Sequence, residues 1–92
     1  MDIFEQVAEK IIREQENIIG PLALEQAKRV SGLKVDPKSR QVSFSGNKAD
    51  VLEKLVEKYR GLFGQTSVEV CKDAAHSLLS KLPPEEVPSL LR

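Results

Sequence analysis

The chain of 92 residues is poor in the side chains that most often carry chemistry, with one cysteine, one histidine and no tryptophan. A single cysteine, Cys71, cannot form a disulfide within the chain, and this usage is more typical of a reducing compartment. One cysteine and one histidine, His76, are too few for the four-ligand pattern of zinc, and the acidic residues do not follow a calcium-loop spacing. We therefore expect no metal site.

Glycine-rich loops and long apolar runs are also missing from the sequence. The five glycines occur singly, and no segment matches a phosphate-binding loop or a dinucleotide-binding fingerprint, so no cofactor is expected. No apolar run approaches the length that crosses a bilayer. The segment Met1 to Glu5 lacks the positive charge and the apolar run of a signal peptide. The sequence thus predicts a cytoplasmic protein without a membrane partner.

The net charge is zero, because fourteen basic residues balance fourteen acidic ones. No overall field therefore attracts nucleic acid or an anionic membrane. The charges are unevenly distributed, however. Residues 28–48 carry six basic side chains and one acidic side chain, a local net charge of +5. This basic segment is the only local electrostatic feature that suggests a partner.

Residues 51–63 show the clearest helical periodicity in the chain. Their apolar side chains recur at the spacing of one helical face, and charged side chains take the opposite face. Asn47 is expected to cap this helix and Gly64 to end it, so we predict a helix over about 48–63 that forms the floor of the core. Thr66-Ser67-Val68-Glu69 fits a capping box and predicts a last helix over about 67–82.

The first part of the chain predicts two helices. Apolar residues between Ile3 and Ile19 form a wide stripe. Gly20-Pro21 must kink or break this helix, because proline lacks the N–H for the next helical hydrogen bond. Gln15 lies in the middle of the stripe. It is either a polar residue at the edge of a shallow core or a buried amide that fixes the register between two copies of the helix.

Apolar and polar residues alternate between the helical segments, over about 33–45. A period of two predicts two half-buried strands, and Asp36-Pro37-Lys38-Ser39 is favourable turn chemistry. The predicted fold is therefore α+β. It consists of two N-terminal helices, a β-hairpin, a two-helix hairpin and a short C-terminal turn, in a single small domain over residues 1–92.

The reactive side chains are poorly placed for catalysis. His76 lies off the apolar stripe of the last helix, beside solvent, whereas Cys71 points to another side among apolar neighbours. The acidic residues that are neighbours in sequence show no spacing that indicates general acid–base catalysis. We therefore expect that the protein is not an enzyme.

Several faces of the predicted elements leave apolar surface uncovered. A two-stranded sheet is marginal alone, the first helix has a wide stripe, and Val70 lies among small residues on a second face of the last helix. We therefore expect a homodimer. The expected partner contacts are Phe4, Ile11, Ile18 and Val70.

The functional prediction is a protein-interaction or regulatory module that self-associates or binds an adaptor partner. A first alternative is a nucleic-acid-binding protein that uses the basic segment 28–48. Its contacts would be Lys28, Arg29, Lys34, Lys38 and Arg40. This alternative is less favoured, because the only aromatic residue of the hairpin, Phe44, is expected to point inward. A second alternative is a small-molecule sensor with an apolar cavity between the helices and the hairpin.

Overall fold

A computed structural model describes residues 2–91 as four α-helices with a β-hairpin between the second and the third. The helices are α1 (Ile3–Ile19), α2 (Leu22–Lys28), α3 (Lys48–Phe63) and α4 (Gln65–Leu79), and the strands are β1 (Leu33–Val35) and β2 (Val42–Phe44). Two 3₁₀ turns, Pro84–Glu86 and Ser89–Leu91, follow α4. The predicted α+β class and the predicted order of elements are confirmed.

Local caps and breaks set the bounds of α1, α2 and α3. Asp2 and Glu5 form a capping box, in which the Asp2 carboxylate accepts the Glu5 N–H at 2.8 Å. At the other end of α1, the N–H of Gly20 donates to the carbonyl of Glu16, and the positive φ of Gly20 (+68°) turns the chain into α2. Asn47 caps α3 through the Asp50 N–H, at 3.0 Å, as its sequence predicts.

The bounds of α4 differ from the prediction by two residues at its start and three at its end. The helix begins at Gln65, directly after Gly64, and has no side-chain cap, so the predicted capping box does not form. Ser67 is buried within the first turn instead of marking its start, since packing against another helix outweighs a local capping preference. At the other end, the Ser80 hydroxyl donates to the carbonyl of Ser77 at 2.8 Å and closes the last turn.

The β-hairpin closes on a glycine at its base. The strands pair antiparallel, with Leu33 opposite Phe44. Gly32 accepts the N–H of Ser45 at 2.8 Å. It has a φ of +87°, and a Cβ there would lie 2.7 Å from the carbonyl oxygen of Ser45. Both facts require glycine at this position. In the turn, the Asp36 carboxylate accepts two backbone N–H groups, which hold the pKa of this side chain below its usual range.

One apolar core joins the helices and the hairpin. The C-terminal turns pack on the same core: Leu91 is buried, and the N–H of Leu90 donates to the Glu53 carboxylate of α3 at 3.1 Å. Tyr59 of α3 is completely buried, and its hydroxyl donates to the carbonyl of Ala23 in α2 at 2.8 Å. Burial raises the pKa of the Tyr59 phenol well above its usual value.

A buried amide ties α1 to α4. Gln15 is 1% exposed, and its Nε2 donates to the carbonyl of Ser67 at 3.1 Å and to the Sγ of Cys71 at 3.4 Å. Small buried side chains on α4, among them Ser67, Cys71 and Ala74, allow α1 to come close. Gln15 is therefore a buried amide and not a residue at the edge of the core, and its partners lie on α4 of the same chain; the predicted pairing between two copies of α1 is not what buries it.

Removing this amide is expected to weaken the fold. Gln15→Ala loses the bond to Ser67 and leaves a cavity between two helices, so the free energy of unfolding should fall by about 2–4 kcal/mol in urea denaturation. Gln15→Leu is the matched control. It keeps most of the volume and loses only the two hydrogen bonds to Ser67 and Cys71, so a smaller loss of about 1 kcal/mol is expected. Losses below about 0.5 kcal/mol for both variants would contradict a structural role for the amide.

Candidate functional site

Three large apolar side chains are well exposed within residues 2–91. The exposed fraction is 61% for Ile18, 52% for Leu62 and 39% for Leu22. Scattered single apolar residues are normal on a protein surface, whereas a group of them in one place marks a contact surface. Whether these three residues mark a contact surface therefore depends on how close together they lie.

Two hydrogen bonds place the three residues at the same end of the molecule. The bond from Gln15 to Ser67 brings the end of α1 to the start of α4. The bond from Tyr59 to Ala23 brings the end of α3 to the start of α2. Because α3 leads directly into α4 and α1 into α2, both chain reversals lie at this end. The three exposed side chains at this end, Ile18, Leu22 and Leu62, are together called the apolar pole below.

The apolar pole arises because two helices continue their apolar stripes past the core. Ile18 lies one turn beyond the buried Gln15 on α1, and Leu62 lies one turn beyond the buried Tyr59 on α3. Inside the core the same stripes are covered by neighbouring elements, but at the pole their side chains face solvent. The sequence pattern therefore provides more apolar surface than the single chain covers.

The predicted partner contacts do not share one surface. Ile18 belongs to the apolar pole, whereas Phe4 packs half-buried against the core about 21 Å away along α1. Ile11 is completely buried and offers no surface to a partner. Val70 is half-buried on α4. The sequence pattern places Leu62 on the core-facing stripe of α3. Its exposure results from its position at the end of the helix, beyond the part of the stripe that neighbouring elements cover.

An open groove of about 670 Å³ runs between the end of α2 and α3. It is called the α2–α3 groove. Its side chains include three cations, one acid and two apolar residues: Arg29, Lys54, Lys58, Glu57, Val30 and Leu62. None of the three cations makes an ion pair with another residue of the described range 2–91. The charge of Glu57 is engaged by Arg60 at 2.5 Å, which leaves the groove with an excess of positive charge.

The five basic residues predicted to contact an anionic partner have different surroundings. Arg40 binds both carboxylate oxygens of Glu16, at 2.9 and 3.0 Å, and this hydrogen bonding raises the pKa of Arg40. The positive charge of Arg40 is thus used within the fold. Arg29 lines the α2–α3 groove. The remaining exposed residues of the set are Lys28, Lys34 and Lys38.

Neither reactive side chain, Cys71 or His76, lines the α2–α3 groove. Cys71 is a buried free thiol whose pKa is raised to about 11 by burial, so it is protonated and unreactive near neutral pH. His76 is exposed on α4. In the part of the chain that the structure describes, no cluster of three or more His, Cys, Asp or Glu side chains is arranged to hold a metal ion. The same part contains no helix that combines the length and the apolarity needed to span a membrane.

Comparisons with protein families, with curated proteins and with solved structures found no match to this chain. A functional assignment therefore depends on its own residues and their geometry.

The buried Cys71 thiol predicts a loss of stability at alkaline pH. Its pKa rises from 9.0 to about 11 on folding. As the pH rises, the unfolded chain therefore loses the thiol proton before the folded chain does. The contribution of the thiol to the free energy of unfolding is complete below about pH 9 and is lost as the pH rises to about 11, the pKa of the folded state. The free energy of unfolding should fall by about 1 kcal/mol between about pH 8 and pH 10.

Urea denaturation at several pH values measures this slope, and Cys71→Ala is its control. The variant has no thiol to titrate, so its free energy of unfolding should change less over the same interval. An identical slope in both proteins would show that the thiol does not contribute.

Proposed function

We propose that the protein is a non-enzymatic protein-interaction module that self-associates through the apolar pole. The observation that supports this proposal best is the position of Ile18, Leu22 and Leu62 at one end of the molecule, each well exposed. Covering such side chains with another protein surface removes apolar area from water, which is the main driving force of association.

The composition of the apolar pole favours a second copy of the chain as its partner. The exposed residues next to it in sequence include the uncharged Asn17, Pro21 and Gly61. In a symmetric dimer the same patch meets itself, so the apolar side chains of Ile18, Leu22 and Leu62 can pack against their own copies.

The placement of the reactive groups supports the non-enzymatic part of the proposal. The Cys71 thiol is buried and protonated, and it does not line the α2–α3 groove. A cytoplasmic location belongs to the same proposal, and the free thiol supports it. Nucleic-acid binding through the basic segment has less support, because Arg40 is already paired with Glu16.

Light scattering over a range from micromolar to millimolar concentration tests self-association. The mass of the unmodified protein should rise with concentration from the 10.2 kDa of one chain toward twice that value. Ile18→Lys places a charge in the pole and should raise the dissociation constant about tenfold or more, because the charge loses its hydration at the interface.

The control for this experiment is Ser77→Lys, which adds the same charge at an exposed position of α4 and should dimerise like the unmodified protein. Circular dichroism verifies that both variants are folded. A mass near 10.2 kDa at every concentration, or equal association by Ile18→Lys and the unmodified protein, contradicts the proposal.

A further inference from the structure

The α2–α3 groove combines apolar and cationic side chains in one concave surface. Val30 is 5% exposed and lies at the end of α2, while Leu62 is largely exposed at the end of α3. Gly61, which has no side chain, also lines the groove. Such a surface can accept an apolar side chain of a partner between two helices.

The cations of the groove, Arg29, Lys54 and Lys58, form no ion pair within residues 2–91. Lys54 and Lys58 are four residues apart on α3, so they lie on one face of the helix, where like charges repel. Arg29 approaches the same groove from the end of α2. The one acid of the lining, Glu57, pairs with Arg60. An acidic occupant would relieve this repulsion, whereas a basic one would increase it.

We propose that the α2–α3 groove binds an acidic peptide segment of a partner protein that also carries aliphatic side chains. The carboxylates of the segment pair with Arg29, Lys54 and Lys58, and an aliphatic side chain packs against Val30 and Leu62. The guanidinium of Arg29 has the donor geometry for a two-point bond to a carboxylate. This interaction surface shares Leu62 with the apolar pole, whereas its cations, Arg29, Lys54 and Lys58, are not part of the pole.

A peptide fits the groove better than a nucleic acid does. Single-stranded nucleic acid is bound without sequence preference through exposed aromatic side chains on which the bases stack, together with cations. The aromatic residues of the described range are buried or half-buried: Phe4, Phe44, Tyr59 and Phe63. The groove offers aliphatic side chains where stacking surfaces would be needed.

Selection from a random peptide display library on the immobilised full-length protein tests the proposal. The enriched peptides should contain aspartate or glutamate together with leucine, isoleucine or valine. Synthetic copies of the enriched peptides should bind about tenfold or more weakly to the charge-reversal variant Lys54→Glu/Lys58→Glu, and their binding should weaken as salt increases. The control variant Lys34→Glu/Lys38→Glu makes the same change of charge on the exposed hairpin and should bind like the unmodified protein.

The proposal is overturned if the selection enriches no peptides, or if the enriched peptides are basic or uncharged. It is also overturned if Lys54→Glu/Lys58→Glu and Lys34→Glu/Lys38→Glu lose the same affinity for the enriched peptides. Binding of a mixed-sequence single-stranded oligonucleotide that both variants weaken, without peptide binding, would assign the basic surface to nucleic acid instead. Light scattering of Lys54→Glu/Lys58→Glu separates this proposal from the previous one, because the groove variant should still self-associate.

Discussion

The hydrogen bond from the Gln15 amide to the carbonyl of Ser67 fixes how the first and last helices of the fold meet. Aliphatic contacts are non-directional and tolerate sliding of one helix along another, whereas a buried amide needs its acceptor in one place. The bond joins residues 52 positions apart. It sets the register of α1 on α4, and this register brings the two chain reversals to the same end of the molecule.

The apolar pole is a consequence of this register. A chain of 92 residues buries a limited core, and both α1 and α3 continue their apolar stripes past it. Exposed apolar side chains lower solubility and add nothing to the stability of the single chain. The proposed contact with a second copy would give these side chains a physical role, and the cationic α2–α3 groove, which Leu62 also lines, is the proposed site for a partner of different chemistry. The two surfaces share Leu62, and the three cations belong to the groove alone.

Features that depend on neighbouring residues were predictable from the sequence. The period of α3, the caps at Asn47 and Gly64, the break at Gly20-Pro21 and the turn at Asp36 are local, and the structure contains all of them. The partner of Gln15 was not predictable, because it lies on a helix far along the chain. The exposure of Leu62 and the meeting of Arg29 with Lys54 and Lys58 depend in the same way on tertiary packing. Burial of Ser67 against α1 also explains why the capping-box pattern failed.

The central claim is that the end of the molecule carrying Ile18, Leu22 and Leu62 is the surface on which two copies meet. Amide chemical shifts recorded by NMR in a dilution series from millimolar to micromolar concentration test it residue by residue. If two copies meet there, the shifts should depend on concentration near the ends of α1 and α3 and at the start of α2, and they should stay unchanged in the hairpin and in α4 beyond its first turns. Shifts that do not depend on concentration, or that change only at the hairpin or at the C-terminal turns, would contradict it.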